Sequence, residues 1–231
     1  MEQLFHARSR LPGMSTIPPI LFPATYVLAV VVERLAPSRP QPKIRGWFAI
    51  GIVAFAIAGV INTLAPRLVG ALHVQLVDLS PLGDIAGALC ATLATAVVAY
   101  AVHRLMHVVN PLWRIHKLHH SARRVDTLGF SYANPLDLAL PALLTSFVAG
   151  LLGVSPLAST IAAYVLFTSA LFGHLAIATP HWLGPIIQRP EAHTLHHARD
   201  VHAYNYGLPI VDLVFGTYRN PREFADRVGF D

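Results

Sequence analysis

Histidines are the residues of this chain whose type and spacing most clearly indicate chemistry. Thirteen occur among 231 residues, and eight of them fall in three short clusters, one H-x3-H and two H-x2-H-H. The clusters contain His103, His107, His116, His119, His120, His193, His196 and His197. Positions i, i+3 and i+4 of a helix share one face, so each cluster would present two or three imidazoles together. A lone histidine is usually a surface or packing residue, but this repeated spacing is typical of metal ligands.

Ligand type and number narrow the choice of metal. A structural zinc site needs four ligands and usually recruits cysteine, whereas eight imidazoles suffice for two neighbouring first-row metal ions. The chain has a single cysteine, Cys90. Iron, zinc and copper all accept imidazole nitrogen, so the clusters alone leave the metal open. Arg104 stands where the zinc-protease motif H-E-x-x-H has its glutamate, which argues against a metalloprotease.

The composition indicates that membrane helices position these clusters. Hydrophobic residues make up 54% of the chain and charged residues 13%, and the mean hydropathy is +0.52. A typical soluble domain has about 25% charged residues, so the class is integral membrane protein. Disordered, collagenous and disulfide-stapled chains are excluded. The 17 lysines and arginines form no basic face interleaved with aromatic residues, and we therefore expect no nucleic-acid partner.

Five apolar segments predict an all-α bundle of about four to five spans or hairpin helices. They cover residues 17–32, 47–65, 85–102, 138–154 and 157–179. The second has nineteen uncharged residues, close to the length of one membrane crossing. No small-residue cleavage site follows the first, so we interpret it as a retained span. The short link Ser155-Pro156 makes the last two a tight hairpin, which brings residues 103–134 and 181–231 to one side, where they can share a site.

Basic residues predict the orientation of this site. The 33–45 loop holds four lysines and arginines and the 103–134 segment five, whereas the 66–84 connection has only Arg67. Cytoplasmic loops are enriched in such residues, so we expect a histidine-rich helical cap on the cytoplasmic side. Arg8 and Arg10 argue mildly against this orientation because it leaves the N-terminus outside, and the side of the N-terminus stays open.

A wider pattern of motifs resembles the fatty acid hydroxylase and sterol desaturase superfamily of membrane di-iron enzymes. Its parts are HRLMHVVNPLWRIHKLHHS at 103–121, FGHLAIATP at 172–180, PEAHTLHHARDVHAYNYG at 190–207 and VDLVFGTYRNP at 211–221. The resemblance covers roughly residues 85–222. We therefore divide the chain into N-terminal spans and connection (1–84), a catalytic region (85–222) and a C-terminal tail (223–231).

The resemblance implies that nine histidines bind two iron ions. These are His103, His107, His116, His119, His120, His174, His193, His196 and His197. His174 takes the place of the family's lone histidine, and an ionisable side chain within an apolar span needs a partner; a packing histidine bonded to a carbonyl is the alternative. His181 and His202 lie outside the clusters and are weaker candidates, since either residue could belong to an ordinary loop.

Two features near the last cluster allow more than one interpretation. Asn205-Tyr206-Gly207 either supports the ligands through hydrogen bonds or forms a simple turn, and Asp212 either orients an imidazole or caps a helix. The chain also departs from the family pattern. Residues 94–100 have no acidic side chain, residues 132–137 replace the common Arg-x-His-Pro-x-Glu, and Val211 replaces a tryptophan. These departures change none of the clustered histidines, but they leave the identity of the substrate open.

The function implied by the resemblance is oxidation of a lipid. A membrane di-iron oxygenase would use O2 and external electrons to hydroxylate or desaturate an unactivated C–H bond of a sterol or fatty-acyl lipid. The chain contains no nucleotide-binding motif, and one cysteine cannot hold an iron–sulfur cluster, so a ferredoxin or a cytochrome with its reductase is the expected partner. Arg123, Arg124 and Arg222 are candidate docking charges. A histidine-lined metal transporter and a catalytically inactive lipid-binding member of the family are the alternatives.

Overall fold

The computed structural model describes residues 17–230, and Arg8 and Arg10 lie outside this range. Eight α-helices account for most of the described chain, joined by loops and short 3-10 turns. Their bounds are α1 (Ile17–Leu35), α2 (Trp47–Gly70), α3 (Gly83–Val108), α4 (Asn110–His120), α5 (Pro135–Leu152), α6 (Pro156–His174), α7 (Pro190–His196) and α8 (Pro209–Val214). Within residues 17–230 the β structure is limited to one isolated bridge between Ala198 and Val228. The predicted all-α class is confirmed.

Four helical segments have the length and hydropathy needed to cross a membrane. They are α2, α3 together with its preceding turn (Ser80–Val108), α5 and α6. Large apolar side chains such as Leu64, Ile85 and Leu89 are exposed on their outer faces, where lipid tails would cover them. The predicted multi-pass bundle is confirmed. Helix α1 packs against α6, and its own crossing of the membrane stays a prediction.

Two helix ends differ from the predicted spans. Helix α3 continues to Val108 rather than ending at residue 102, so the first histidine cluster lies on the spanning helix itself. Helix α6 ends at His174 rather than near residue 179. The reason lies in Ala176, whose N–H donates to the Glu33 carboxylate (3.1 Å) and whose carbonyl accepts from Ser38 (2.9 Å). The backbone after His174 thus pairs with the end of α1 instead of continuing the helix.

The predicted hairpin between the last two spans is confirmed, and its turn chemistry explains it. Gly153 ends α5 with φ +57°, a left-handed conformation that glycine adopts without strain. Ser155 then caps α6 by accepting the Ala158 N–H (3.1 Å), and Pro156 occupies the first helical turn. Helix α3 packs against both arms of this hairpin, and α2 packs against α5. All histidine clusters therefore lie at the end of the bundle opposite the turn.

Loops at the histidine end are tied together through α1. One oxygen of the Glu33 carboxylate accepts both the N–H and the hydroxyl of Thr127 (each 2.8 Å), besides the Ala176 N–H described above. Arg39 donates to the carbonyl of Ala225 (2.6 Å). These contacts join the N-terminal region to the part of the chain that carries the histidines, and the division at residue 84 stays a prediction.

Candidate metal centre

The nine predicted histidines converge in two groups. The five-histidine group contains His103, His107, His116, His120 and His196, and the four-histidine group contains His119, His174, His193 and His197. In each group the candidate ligand nitrogens lie within 4.8 Å of one another. The groups adjoin, because the rings of His120 and His197 stack with their centroids 4.1 Å apart. The structure therefore brings together every residue of the predicted set.

Three helices supply the five-histidine group. The last turns of α3 carry His103 and His107, α4 carries His116 and His120, and α7 carries His196. His103 is central: its Nε2 lies 3.0 Å from that of His116, 3.3 Å from that of His107 and 3.2 Å from that of His196. The Nε2 atoms of His116 and His120 are 3.1 Å apart. All five side chains direct the same ring nitrogen to one point.

The four-histidine group shares α4 and the α7 region with the five-histidine group and uses α6 in place of α3. His119 comes from α4, His174 ends α6, and His193 and His197 lie on and directly after α7. The Nε2 of His174 is 3.2 Å from that of His119 and 3.1 Å from that of His193, which is 3.1 Å from that of His197. Each H-x2-H-H cluster is thereby divided between the groups, since its middle and outer histidines point to different sides.

Backbone carbonyls fix the protonation of four of these rings. Each accepts a hydrogen bond from Nδ1, which must carry the proton because a carbonyl oxygen cannot donate. The pairs are His103 with Tyr206 (2.6 Å), His196 with Tyr204 (2.8 Å), His119 with Tyr132 (3.3 Å) and His174 with Ala170 (2.9 Å). In the neutral ring Nε2 is then unprotonated, and its lone pair faces the centre of the group.

Both groups fit a bound metal ion. Two unprotonated nitrogens about 3 Å apart repel each other unless a cation lies between them. Imidazole–metal bonds of about 2.0–2.1 Å place neighbouring ligand atoms roughly 3.0–3.4 Å apart, which matches the spacing seen here. His120 and His196 are fully buried and His197 is 1% exposed. Burial lowers the pKa of all three well below the usual value, which keeps the neutral form that metals require.

Two side chains outside the groups contact histidines of the five-histidine group. The Nδ1 of His116 donates to the Asp137 carboxylate (2.8 Å). The Nδ1 of His120 lies 3.1 Å from the Nδ1 of half-buried His202. The sequence made His202 a weaker candidate for metal binding. In the structure it contacts His120 and belongs to neither group. In the described chain, the Nδ1 atoms of His107, His193 and His197 have no hydrogen-bond partner.

The segment after the last cluster supports the ligands indirectly. Asp212 accepts the backbone N–H groups of Tyr206 and Gly207 (each 2.9 Å), and so fixes the peptide whose carbonyl binds His103. It does not touch an imidazole itself. Asn205, at φ +49°, donates to the carbonyl of Ala192 on α7 (3.0 Å) and accepts the N–H of Arg219 (2.8 Å). The Asn-Tyr-Gly segment is therefore more than a turn.

The remaining predicted candidate lies elsewhere. His181 is exposed in a 3-10 turn, and its Nε2 donates to the carbonyl of Asn220 (3.0 Å). Asp137 entered the sequence analysis only as part of an altered motif, and its contact with His116 was not anticipated. Its place at the start of α5, three residues after the N-cap Asn134, was the available signal. The carbonyls of Tyr132, Tyr204 and Tyr206 left no signal, because every residue type has one.

The two groups have different surroundings. Beside the four-histidine group, the ring of Phe130 lies 5.3 Å from that of His174 and 5.7 Å from that of Phe167, within the apolar packing of α1, α2 and α6. Beside the five-histidine group, the indole of Trp113 lies 5.4 Å from His107 and 5.6 Å from His120. One group thus borders the apolar packing of α1, α2 and α6, and the other borders Trp113 of α4 and the ring of Tyr206, which lies 5.3 Å from that of His107.

A helical membrane protein with two adjoining histidine groups, each able to hold a metal ion, is the class that this fold and geometry define. Residues 88–217 match the sequence profile of the fatty acid hydroxylase family, and the chain belongs to this family. The ornithine lipid hydroxylase OlsE of Rhizobium tropici is 32% identical over 127 residues, which cover 53% of this chain. The matched part is 38% of the length of that relative. No solved structure matches the chain.

Proposed function

We propose that this protein is a membrane-bound di-iron oxygenase that hydroxylates an unactivated C–H bond of a lipid. The observation that supports this best is the convergence of nine imidazoles into two adjoining groups at one end of an apolar helical bundle. Membership of the fatty acid hydroxylase family favours iron over zinc or copper and favours hydroxylation as the reaction. Desaturation begins with the same removal of hydrogen and is the closest alternative reaction.

In this proposal the five-histidine group holds one iron and the four-histidine group holds the other. Bound iron would supply the activation of O2, with electrons from outside, that an unactivated C–H bond requires. The protein contributes the rest. Four backbone carbonyls and Asp137 hold five of the nine imidazoles in the tautomer that binds metal, and the burial of His120, His196 and His197 keeps bulk water from the ligands.

The lipid chain would approach the four-histidine group. This group borders apolar packing in which Phe130, Phe167 and Tyr26 take part, whereas the rings of Trp113 and Tyr206 lie beside the other group. Four protein ligands also leave more of the metal's coordination positions open than five do. We therefore place the target carbon of the substrate between the four-histidine group and this aromatic packing.

The substrate class is an acyl lipid with a polar headgroup. A relative that covers half of the chain is called an ornithine lipid hydroxylase, which favours such a lipid over a sterol. Electrons would come from a ferredoxin or a cytochrome with its reductase. The basic loops at 33–45 and 103–134 favour a cytoplasmic position for the histidine end, where soluble electron carriers would be available.

An isotope experiment tests the proposal. The protein, purified with iron in lipid nanodiscs, is supplied with acyl lipids, a ferredoxin–reductase system and 18O2, and lipids are analysed by mass spectrometry. We expect one 18O atom in a lipid product, and none with His119→Ala. The matched control His181→Ala, outside both groups, should retain activity. A protein that binds iron but yields neither a hydroxylated nor a desaturated lipid would favour an inactive lipid-binding role, and metal flux through proteoliposomes would indicate a transporter.

A further inference from the structure

A basic cavity of about 370 Å³ opens beside the five-histidine group. Three parts of the chain form it: the loop after α1, the residues after α4, and the C-terminal segment 226–230 together with Arg199. The charged residues of its lining are four arginines and one aspartate, a formal charge of +3: Arg39, Arg123, Arg199, Arg227 and Asp226. Lys43 lines a second cavity, of about 390 Å³, which also includes Arg123.

The cavity is built rigidly onto the metal centre. The N–H of Arg199 donates to the carbonyl of Arg227 (2.9 Å), and the N–H of Gly229 reaches the carbonyl of the ligand His197 (3.4 Å). Gly229 has φ +76°, and a Cβ there would lie 2.6 Å from the carbonyl of Ala122, so only glycine fits. Arg39 lies over the ring of Phe224 (4.8 Å). The side chain of Arg39 and the backbone of Arg199 and Arg227 are thus tied to the segments that carry the histidines.

Aromatic contacts lead from this cavity to the ligands. Phe230 lines the cavity, and its ring lies 5.7 Å from that of His202 and 6.0 Å from that of Trp113. His202 contacts His120, and Trp113 contacts both His107 and His120, as described above. One residue therefore separates the cavity wall from two ligands of the five-histidine group. The aromatic packing beside the four-histidine group, where we place the substrate, involves none of these side chains.

We propose that this cavity is the docking site of an acidic one-electron carrier protein, which reduces the metal centre through Phe230, His202 and Trp113. The proposal rests on the proposed function. Hydroxylation of one C–H bond by O2 consumes two electrons and two protons and yields an alcohol and one water, so two one-electron carriers must dock in each turnover. A positively charged concave surface attracts an acidic partner and orients it, which suits the small and transient interfaces of redox complexes.

Charge reversal at Arg227 tests the docking site. Arg227 is exposed, and its side chain holds no part of the metal centre, so Arg227→Glu should fold and bind iron normally. The matched control is Arg67→Glu, the same charge reversal in the last turn of α2, at the end of the bundle away from the histidines. The probe is a reduced plant-type [2Fe–2S] ferredoxin, mixed anaerobically with the oxidised protein in nanodiscs, and the rate of iron reduction is recorded optically. A small uncharged photoreductant serves as a second reductant that needs no docking.

We expect Arg227→Glu to slow reduction by ferredoxin about tenfold at low salt, with a smaller effect for Arg227→Gln and none for Arg67→Glu. High salt should remove the difference in rate between Arg227→Glu and the native protein, because it slows the reduction of the native protein by ferredoxin. The photoreductant should reduce all variants at the same rate. If the rate of reduction by ferredoxin changed neither with salt concentration nor with substitution of Arg227, the proposal would be overturned. Loss of a co-purified anionic lipid in Arg227→Glu with unchanged reduction would also overturn it, since that result would assign the cavity to a lipid headgroup. A protein that binds no iron would instead contradict the proposed function itself.

Discussion

The five-histidine and four-histidine groups share α4 and the α7 region but differ in their third helix, which is α3 or α6, in what holds them and in what surrounds them. In the five-histidine group, a carboxylate and an imidazole contact the outer nitrogens of two ligands, Asp137 on His116 and His202 on His120. In the four-histidine group, the only outer partners in the described chain are the carbonyls of Tyr132 and Ala170. The first group borders a basic cavity and the second borders apolar packing.

We infer from this difference that the two groups have different roles in the proposed reaction. A carboxylate behind a metal-bound imidazole increases the basicity of that ligand and fixes its orientation. In the proposed di-iron site the five-histidine group is therefore the more firmly held and more electron-rich one, and its rings are linked to the cavity through Trp113 and His202. The four-histidine group has fewer ligands and an apolar border, which suits contact with a lipid chain. Four predictions test this contrast.

Removal of one ligand from each group should have the largest effect. His119→Ala leaves three imidazoles in the four-histidine group, whereas His196→Ala leaves four in the other. Because oxygen activation needs both metals, we expect neither variant to hydroxylate lipid. Iron content should differ: His119→Ala should fall to about one iron per chain, and His196→Ala should retain more, because four nitrogens can still complete a site.

Elemental analysis measures the iron, and circular dichroism checks that the spanning helices persist. His181→Ala is the control, since His181 lies outside both groups. Full activity in both ligand variants would refute the di-iron interpretation. Equal iron loss in both would refute the difference between the groups.

Neutralising Asp137 should have the next largest effect, confined to the five-histidine group. Asp137→Asn keeps an oxygen that can accept the His116 N–H but removes the negative charge. The loss of such a partner typically lowers metal affinity or activity about 10–100-fold. Iron titration in the presence of a competing chelator measures the affinity. Asp84→Asn is the matched control, because Asp84 contacts Ser155 at the other end of the bundle. Iron binding as tight as in the native protein would show that Asp137 only positions α5.

Phe130→Leu should affect the substrate and not the metals. The substitution trims the apolar border of the four-histidine group beside His174. A lipid chain held less well beside the metal should lower kcat/KM about tenfold, while the iron content stays unchanged. Steady-state kinetics with a hydroxylated product as readout measures this effect. Phe48→Leu, the same substitution at an exposed position of α2, is the control. Loss of iron in Phe130→Leu would mean that the ring supports the ligands instead.

The smallest expected effect is that of His202→Leu. The substitution removes one hydrogen-bond partner of His120, and a contact worth about 1 kcal/mol corresponds to roughly fivefold weaker iron binding in the five-histidine group. His181→Leu removes a histidine that also lies outside both groups but contacts none of the nine histidines, and it should leave iron binding unchanged. Competition titrations compare the two variants. Equal affinities would show that His202 does not support the centre.

Much of the fold followed from the sequence because apolar runs and turn residues are local signals. The hairpin at Ser155-Pro156 is an example, as is the nineteen-residue second span. The ends of α3 and α6 were less accessible, since they depend on distant partners. Helix α6 stops at His174 because Ala176 bonds to Glu33 and Ser38, residues more than a hundred positions earlier. The hydropathy of a segment carries no information about such a distant contact.

The candidate site shows the same limit. All nine histidines were predicted, because their spacing and the family resemblance are properties of side-chain type. Their partition was not, since it depends on how α4 and α7 face each other: His119 joins His193 and His197, while its neighbour His120 joins His196. The carbonyl partners and the cavity beside Arg227 likewise arise from chain segments that meet only in the folded protein.

The most direct test of the central claim is the iron content and Mössbauer spectrum of the protein purified in detergent from cells grown with 57Fe. We expect two irons per chain and two distinct signals of equal area, one from the five-histidine group and one from the four-histidine group. A protein that folds without iron, or that binds a single isolated iron even after reconstitution, would contradict the di-iron interpretation.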